Sequence, residues 1–400
     1  MPQDGDRIAQ RIEAMLERVN GIKAHEHYYF NQPVTELRGG SRAIVRGREM
    51  LMFASYGYLG LLGHPRINSA AKAAIDKYGT GTHGVRLLAG TLDLHIELEA
   101  AIASFKHAED AVCFSSDYVT NLTAISTLVG RNDAVICDKL DHASIVDGCI
   151  LSGADFLRFR HNDMNDLERV LRKVEPGASK LVVVDAVFSM DGDIIDLPHV
   201  ARLCREHGAW LMVDEAHSLG MLGKTGRGIE EHFGLGDVVD VKMGTLSKAI
   251  PSVGGYVAGK KELIQYIKHV SRAFIFSAAL PPAQAAAAKA ALEVILDEPD
   301  RIEILRRNAA QFIGGLKALG FDTMNTETAI VPVLCGPDER AYEMVRACQR
   351  ENVFALPVVS PAVPDGTARL RATVTAAHSP DEIEQALAVF ESAGRKTGII

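Results

Sequence analysis

Lys248 stands in the stretch Met243–Gly259, MGTLSKAIPSVGGYVAG, among small residues and hydroxyls with apolar segments on either side. A lysine is ordinarily a surface charge. Here glycines would let backbone or ligand approach closely, and Thr245 and Ser247 offer donors suited to phosphate oxygens. A partly desolvated amine in that setting becomes a nucleophile toward a carbonyl. Asp214 closes the run AWLMVDEAH, where a carboxylate is costly unless it meets a cation or a hydrogen-bond donor. Taken alone it reads more readily as a helix N-cap. His217, three residues on, can share the same cleft.

Two further stretches end apolar runs. In CFSSDYVTNLTAISTLVG a strand meets a helix at Ser115, Ser116, Asp117 and Tyr118. The amides at such a helix start bind phosphate, although a plain capped helix fits the same residues. In DKLDHASIVDG, His142 follows a strand. A lone histidine is ordinarily structural, yet its flat ring could stack on a flat cofactor. One molecule accounts for all four pieces. Pyridoxal 5′-phosphate needs a lysine for a Schiff base, an acid opposite its ring nitrogen, a stacking group and a phosphate cradle.

These residues must be placed by strands. From about residue 51 to 285 the chain repeats a short β-branched run, a turn and a helical segment. The runs DAVCFSS, DAVICDK, ADFLRFR, KLVVVDA, AWLMVDE, DVVDVKMG and GGYVAG are short and largely apolar on both faces. That pattern predicts an α/β fold: a mostly parallel central sheet with helices on both faces, and ligands at the strand C-termini. Residues 1–50 read as an N-terminal helix (about 6–20, with Ile8, Ile12, Met15, Leu16 and Val19 at helical spacing) and a short hairpin. Residues 51–285 read as the large cofactor-binding domain. The alanine-rich helix in LPPAQAAAAKAALEVILD leads into a smaller C-terminal α+β domain over 286–400. There AIVPVLCG and ARLRATVTA are strand-like and SPDEIEQALAVFESAG is a capped helix.

Composition narrows the function classes. Four hundred residues at 47% hydrophobic content supply a large core, and a net charge of −8 with no basic block argues against a general nucleic-acid binder. The six cysteines form no CxxC pair and read as buried thiols of a reducing compartment, with no metal site. The first residues carry acidic groups and no apolar signal core, and no apolar run is long enough to span a membrane, so a cytoplasmic protein is expected.

The chain resembles the α-oxoamine synthases, pyridoxal-phosphate enzymes of fold type I. The likeness runs through GTGTHGVRLLAGTLDLHIELEAAIASF, DHASIVDG, VFSMDGDIIDL, VDEAHSLGMLGKTGRG, GTLSKAIPSVGG, FSAALPPA and GTARLRATVTAAH. Within the family it is most similar to the bacterial serine palmitoyltransferases, in SYGYLGL, DHASIVDGCILSGADFLRFRHND and FESAGRKTGII. The resemblance implies that Lys248 carries the cofactor and later moves the α-proton, and that Asp214 pairs with the ring nitrogen. It implies that His142 stacks on the ring and that His217, with Ser189, reaches the phenolic oxygen. Ser116, Thr245, Ser247 and the amides of Asp117 and Tyr118 would hold the phosphate, joined by Ser277 from a neighbouring subunit, hence a homodimer. Arg371 would anchor the amino-acid carboxylate through paired donors. His83 and Tyr56 lie in segments that line the mouth of related sites. The implied reaction is a decarboxylative condensation of an L-amino acid, serine favoured, with a long-chain acyl thioester of coenzyme A or an acyl carrier protein. It would give an α-amino ketone such as 3-oxosphinganine.

The chain departs from this pattern at Gly57, where asparagine is usual, at Asp117, where glycine is usual, and at Val359, where the serine enzymes place an arginine. Those departures leave open an alanine- or glycine-using enzyme, or one linked to a carrier protein in a secondary pathway. An aminotransferase on the same fold and a catalytically inactive partner subunit are the readings from other classes. Arg42, Arg46 and Arg48 read as a solvated strand face that could also meet a nucleotide phosphate.

Overall fold

The computed structural model describes residues 6–400. The first five residues of the expected 1–50 unit lie outside the described ones. The helix α1 (Arg7–Ala24) starts at Asp6, whose carboxylate accepts from the amides of Ile8 and Ala9. The expected hairpin is a three-stranded antiparallel meander, β1 (Val34–Arg38), β2 (Arg42–Val45) and β3 (Arg48–Met52), because a further strand pairs ahead of the predicted two. Next come α2 (Pro65–Tyr78), with proline in its first turn where a missing N–H costs nothing, and α3 (Asp93–Phe105).

The seven apolar runs all become strands, with a helix between each successive pair except β9 and β10, which a loop joins. In order these are β4 (Asp110–Phe114), α4 (Asp117–Leu128), β5 (Ala134–Asp138), α5 (Ala143–Ser152), β6 (Asp155–Phe159) and α6 (Met164–Leu171). Then follow β7 (Lys180–Asp185), α7 (Leu197–His207), β8 (Trp210–Asp214), α8 (Ile229–Phe233), β9 (Val241–Thr245) and β10 (Gly255–Gly259). They form one sheet in the order β4-β10-β9-β8-β7-β5-β6. Strands β5 to β9 are mutually parallel, and β10 runs antiparallel to both its neighbours. Because β5, β9 and β10 are buried at every position, the sheet is covered on both faces, which is why its strands lack an alternating polar face. The C-terminal ends of β5, β7, β8 and β9 therefore point to one side, and each leads into a loop that carries polar residues.

After β10 the chain makes α9 (Lys261–Val270), α10 (Arg272–Phe276), α11 (Pro282–Asp297) and α12 (Asp300–Leu319). The last third is β11 (Ile330–Gly336), α13 (Asp338–Arg350), β12 (Val353–Phe354), β13 (Pro357–Val358), β14 (Ala368–Thr373) and α14 (Pro380–Thr397). Helix α14 begins with a capping box, Ser379 and Glu382 each bonding the other's amide.

Two main cores result. The larger takes in the sheet's one face, α3, α7 and the alanines of α11. Ala285, Ala288 and Ala291 are fully buried there, small enough to let α11 lie close against α2 and α3. Helix α12 bridges the two cores, with Ile302, Leu305 and Ala309 in the larger and Phe312 and Leu316 in the second. The second core joins β11, β14, α13 and α14 with Leu51 and Phe53 from the start of the chain. Strand β12 pairs in parallel with β3, Val353 opposite Leu51 and Phe354 opposite Met52, so the N-terminal strands share a sheet with the C-terminal third. All six cysteines are buried and unpaired. Among the described residues no helix is long and apolar enough to cross a membrane.

Candidate active site

Parallel register sets the floor of the site. Asp185 at the end of β7 lies opposite Asp214 at the end of β8, and Asp214 lies opposite Met243 on β9. Asp214 is almost wholly buried. Its Oδ1 accepts from the amide of Ala216 at 2.8 Å and its Oδ2 from Asn121 Nδ2 at 2.7 Å. Asn121 sits one turn into α4 and also donates to Ser144 Oγ at 2.9 Å. Its own Oδ1 is buried with no partner, a vacancy in the hydrogen-bond pattern that a bound donor would fill. Asp185 accepts the amide of His142 at 2.8 Å. Burial, then the neighbouring charge of Asp214, pushes its carboxyl well above the usual range.

The two histidines are held differently. His142 is the N-cap of α5, and its Nδ1 lies 2.7 Å from Ser144 Oγ, which fixes the ring over the floor. His217 is buried, and its Nδ1 lies 2.6 Å from the hydroxyl of Tyr58. Burial, reinforced by the charges of Lys248, Arg371 and His142, holds His217 well below its ordinary pKa. Burial pushes Tyr58 up to about 12 against the opposing pull of Arg371. The phenol therefore keeps its proton and donates it to Nδ1, which leaves Nε2 of a neutral ring as the N–H. Arg371 donates to the same phenol at 3.4 Å, to the carbonyl of Ser189 at 2.5 Å and to Thr373 Oγ1 at 2.9 Å. Its guanidinium lies 4.7 Å from the ring centre of Tyr56, itself half exposed at the mouth.

On the other side stands a cluster of donors. Lys248 follows β9 in a loop, its side chain 14% exposed, with Nζ 5.9 Å from the Tyr56 ring centre. Thr245 Oγ1 and Ser247 Oγ are 2.7 Å apart. Asp117, the first residue of α4, turns its carboxylate into this cluster, with Oδ2 at 3.0 Å from Thr245 Oγ1, 3.4 Å from Ser247 Oγ and 3.9 Å from Lys248 Nζ. Gly255 on β10 faces the same turn, and a Cβ there would come within 2.8 Å of the Asp117 Cα. Only glycine lets α4 seat this closely.

Lys248, Asp214, His142, His217, Ser189, Asp117 and Tyr118 thus border one cleft. Thr245 and Ser247 reach it through Asp117. Ser116 is the N-cap of α4, but its side chain makes no capping bond. Ser277 ends α10 and does not line this cleft, and His83 is exposed in a left-handed turn with φ of 60°. Arg42 is tied to Glu382 at 2.7 Å, and Arg48 donates to the carbonyl of Gln349. Arg46 faces a basic hollow with Lys23, Arg346 and Arg350. Sequence reasoning passed over Tyr58, Asn121, Ser144 and Asp185. Asp185 carried a readable signal, since VVVDA ends in an aspartate just as LMVDE does. Asn121 lies four residues after Asp117, on the same helical face.

The residues suit pyridoxal 5′-phosphate: a buried carboxylate for a ring nitrogen, an N–H for a phenolic oxygen, an amine, and hydroxyls beside a helix N-terminus. Asp117 is the one group of the wrong sign.

The model of a family described as aminotransferase class I and II matches residues 48–390. The 8-amino-7-oxononanoate synthase of Symbiobacterium thermophilum is 45% identical over 96% of this chain and 98% of its own. The serine palmitoyltransferase of Sphingobacterium spiritivorum is 42% identical over 95% of each. A solved serine palmitoyltransferase from S. paucimobilis, with a PLP–myriocin aldimine bound, superposes with a TM-score of 0.95 at 35% identity, covering 98% of this chain and 99% of that one.

Proposed function

This chain belongs to the aminotransferase class I and II family and, within it, to the pyridoxal-phosphate-dependent α-oxoamine synthases, which condense an amino acid with an acyl thioester, and we propose that its amino acid is L-serine and its partner a long-chain acyl-CoA. The products are then a 3-oxosphinganine-type amino ketone, carbon dioxide and free thiol. The observation that carries the catalytic part is the convergence of Lys248, Asp214, His142 and His217 on one cleft.

When bound, the cofactor supplies an aldehyde for the amines and an aromatic ring that accepts an electron pair from the substrate's α-carbon. Lys248 would hold it and would move the substrate's α-proton. Asp214, fixed by Asn121 and Ala216, would keep a proton on the ring nitrogen. His142 would cover one face, and the Nε2–H of His217 would be the donor for the phenolic oxygen. Arg371 receives the amino-acid carboxylate, and Tyr56 closes the mouth beside it. A bond forms between the α-carbon and the acyl carbon while the C–S bond breaks and the thiol leaves. Loss of carbon dioxide follows, and Lys248 returns the proton.

A long acyl chain is supported by an apolar groove of about 640 Å³ between α1 and β13, walled by Met15, Val19, Ile22, Leu356 and Val359. Its wall adjoins the site, because the carbonyl of Leu356 accepts the amide of Arg371 at 3.3 Å. A homodimer is supported beside Ser277. The bridge between Val85 and Ala278 brings two segments together whose Leu87, Leu88 and Phe276 stand 62%, 82% and 72% exposed, an apolar patch suited to a second copy.

A second reading follows from the 45% identical relative, whose printed product fixes its substrates by carbon count. An 8-amino-7-oxononanoate skeleton needs alanine and a seven-carbon dicarboxylic acyl group. The test is to titrate the loaded protein with serine, alanine and glycine, follow the visible absorbance, then identify the product by mass. Serine shifting the spectrum and yielding a C16-derived amino ketone supports the proposal. Alanine with the heptanedioyl thioester as the sole productive pair overturns it in favour of the second reading.

A further inference from the structure

We propose that Asp117 is an internal anion that reaches into the phosphate cradle and must swing out for the cofactor to load. This rests on the cofactor reading above and adds a competition that the reading does not contain. A phosphate held here would draw on the hydroxyls of Thr245 and Ser247 and the amides at the start of α4, and would meet the ammonium of Lys248 on entry, before that amine condenses with the aldehyde. In the structure one carboxylate already uses members of each class. Asp117 Oδ2 takes Thr245 at 3.0 Å and Ser247 at 3.4 Å and lies 3.9 Å from Lys248 Nζ, while Oδ1 takes the amide of Tyr118 at 2.8 Å.

The backbone is seated close: a Cβ on Gly255 would fall 2.5 Å from Thr120 Oγ1 and 2.8 Å from Asp117 Cα. The relief is rotation of the side chain, for which Asp117 has space because it is 36% exposed. A carboxylate turned to solvent still sits at the N-terminus of a twelve-residue helix, where negative charge is favoured. Two positions of one side chain are thus available, and a dianion in the cradle favours the outer one by like-charge repulsion. Exposure to water screens that repulsion, so the penalty on affinity is about tenfold and not many thousandfold.

The experiment compares the cofactor-free full chain with Asp117→Asn and Asp117→Gly, each checked for folding by its thermal melt. Affinity is read by visible absorbance for pyridoxal 5′-phosphate and for pyridoxal, which lacks the phosphate, and by melting shift for inorganic phosphate. Both substitutions should tighten pyridoxal 5′-phosphate by about tenfold and leave pyridoxal within twofold. Inorganic phosphate should stabilise the variants at lower concentration than the parent. Unchanged or weaker binding of the phosphorylated ligand in both folded variants overturns the inference and leaves the cofactor reading standing. Failure of parent and variants alike to bind pyridoxal 5′-phosphate overturns both.

Discussion

The hydroxyl of Tyr58 lies 2.6 Å from Nδ1 of His217, across 159 positions of sequence, and the same oxygen receives a donor from Arg371 at 3.4 Å. The relay runs one way, from guanidinium to phenol to imidazole, and it fixes which ring nitrogen of His217 keeps a proton. A residue with no reacting atom of its own thereby orients one that faces the cleft. Tyr58→Phe should keep the cofactor bound but lower kcat about tenfold or more, with KM for the amino acid within about threefold. It should also cost about 1–2 kcal/mol of stability by orphaning Nδ1. Steady-state kinetics and denaturant melts check both, and a kcat within twofold of the parent would remove Tyr58 from the mechanism.

Arg371 divides its donors among Ser189, Thr373 and Tyr58 while its plane lies over Tyr56. A lysine cannot reproduce that fork or the stacking. Arg371→Lys should raise KM for the amino acid about tenfold or more, an effect on the order of 1.4 kcal/mol, while KM for the acyl thioester stays within about twofold. An equal rise in both constants would point to general disruption.

Gly192 carries φ of 76°, and a Cβ there would fall 2.1 Å from the carbonyl oxygen of Ile330. Its own carbonyl accepts from Thr328 Oγ1 at 2.9 Å. This contact stitches the loop that bears Ser189 to β11 in the second core. Gly192→Ala should destabilise the chain by about 3 kcal/mol or more through strain and backbone collision together. A urea melt checks it, and a loss under 1 kcal/mol would show that the loop can yield.

His161 lies between two carboxylates, 3.1 Å from Asp138 and 2.9 Å from Asp193, edge-on to Phe188. Burial works against its charge, but the hydrogen bonds to Asp138 and Asp193 outweigh that and raise its pKa to about 10. A raised folded-state value makes this stabilisation complete below the unfolded pKa near 6.5 and lost as pH rises toward 10. Discounted for the ring's partial exposure, the loss is about 2 kcal/mol. Melting temperatures from pH 6.5 to 10 should fall more steeply for the parent than for His161→Gln. Parallel curves would sink the assignment.

The sheet was legible because strands covered on both faces are apolar on both, a mark carried by every run but ADFLRFR, which forms the edge strand β6 with Arg158 exposed. Lys248, Asp214, His142 and His217 were legible because each follows such a run. Tyr58 was not, since its importance comes from a contact with a distant segment and nothing local marks it. Asn121 looked like any polar residue inside a helix until the turn of α4 placed it beside Asp214. The buried face of α11 was obscured because an alanine-rich helix has little periodicity with which to show it. Asp117 was visible as a departure, but the turn of its carboxylate toward Thr245 and Ser247 depends on the seating of α4 against β9 and β10.

The pairing of β3 with β12, together with the bond from the Thr373 amide to the Phe53 carbonyl at 2.7 Å, has a bearing on how the molecule is made. Residues near position 50 leave the ribosome some three hundred codons before their neighbours do. The larger core can condense while synthesis continues, whereas Leu51 and Phe53 must stay exposed until the final hundred residues emerge. Nascent chains stalled short of β14 therefore present an unmatched apolar edge, a natural point of capture for a holdase chaperone.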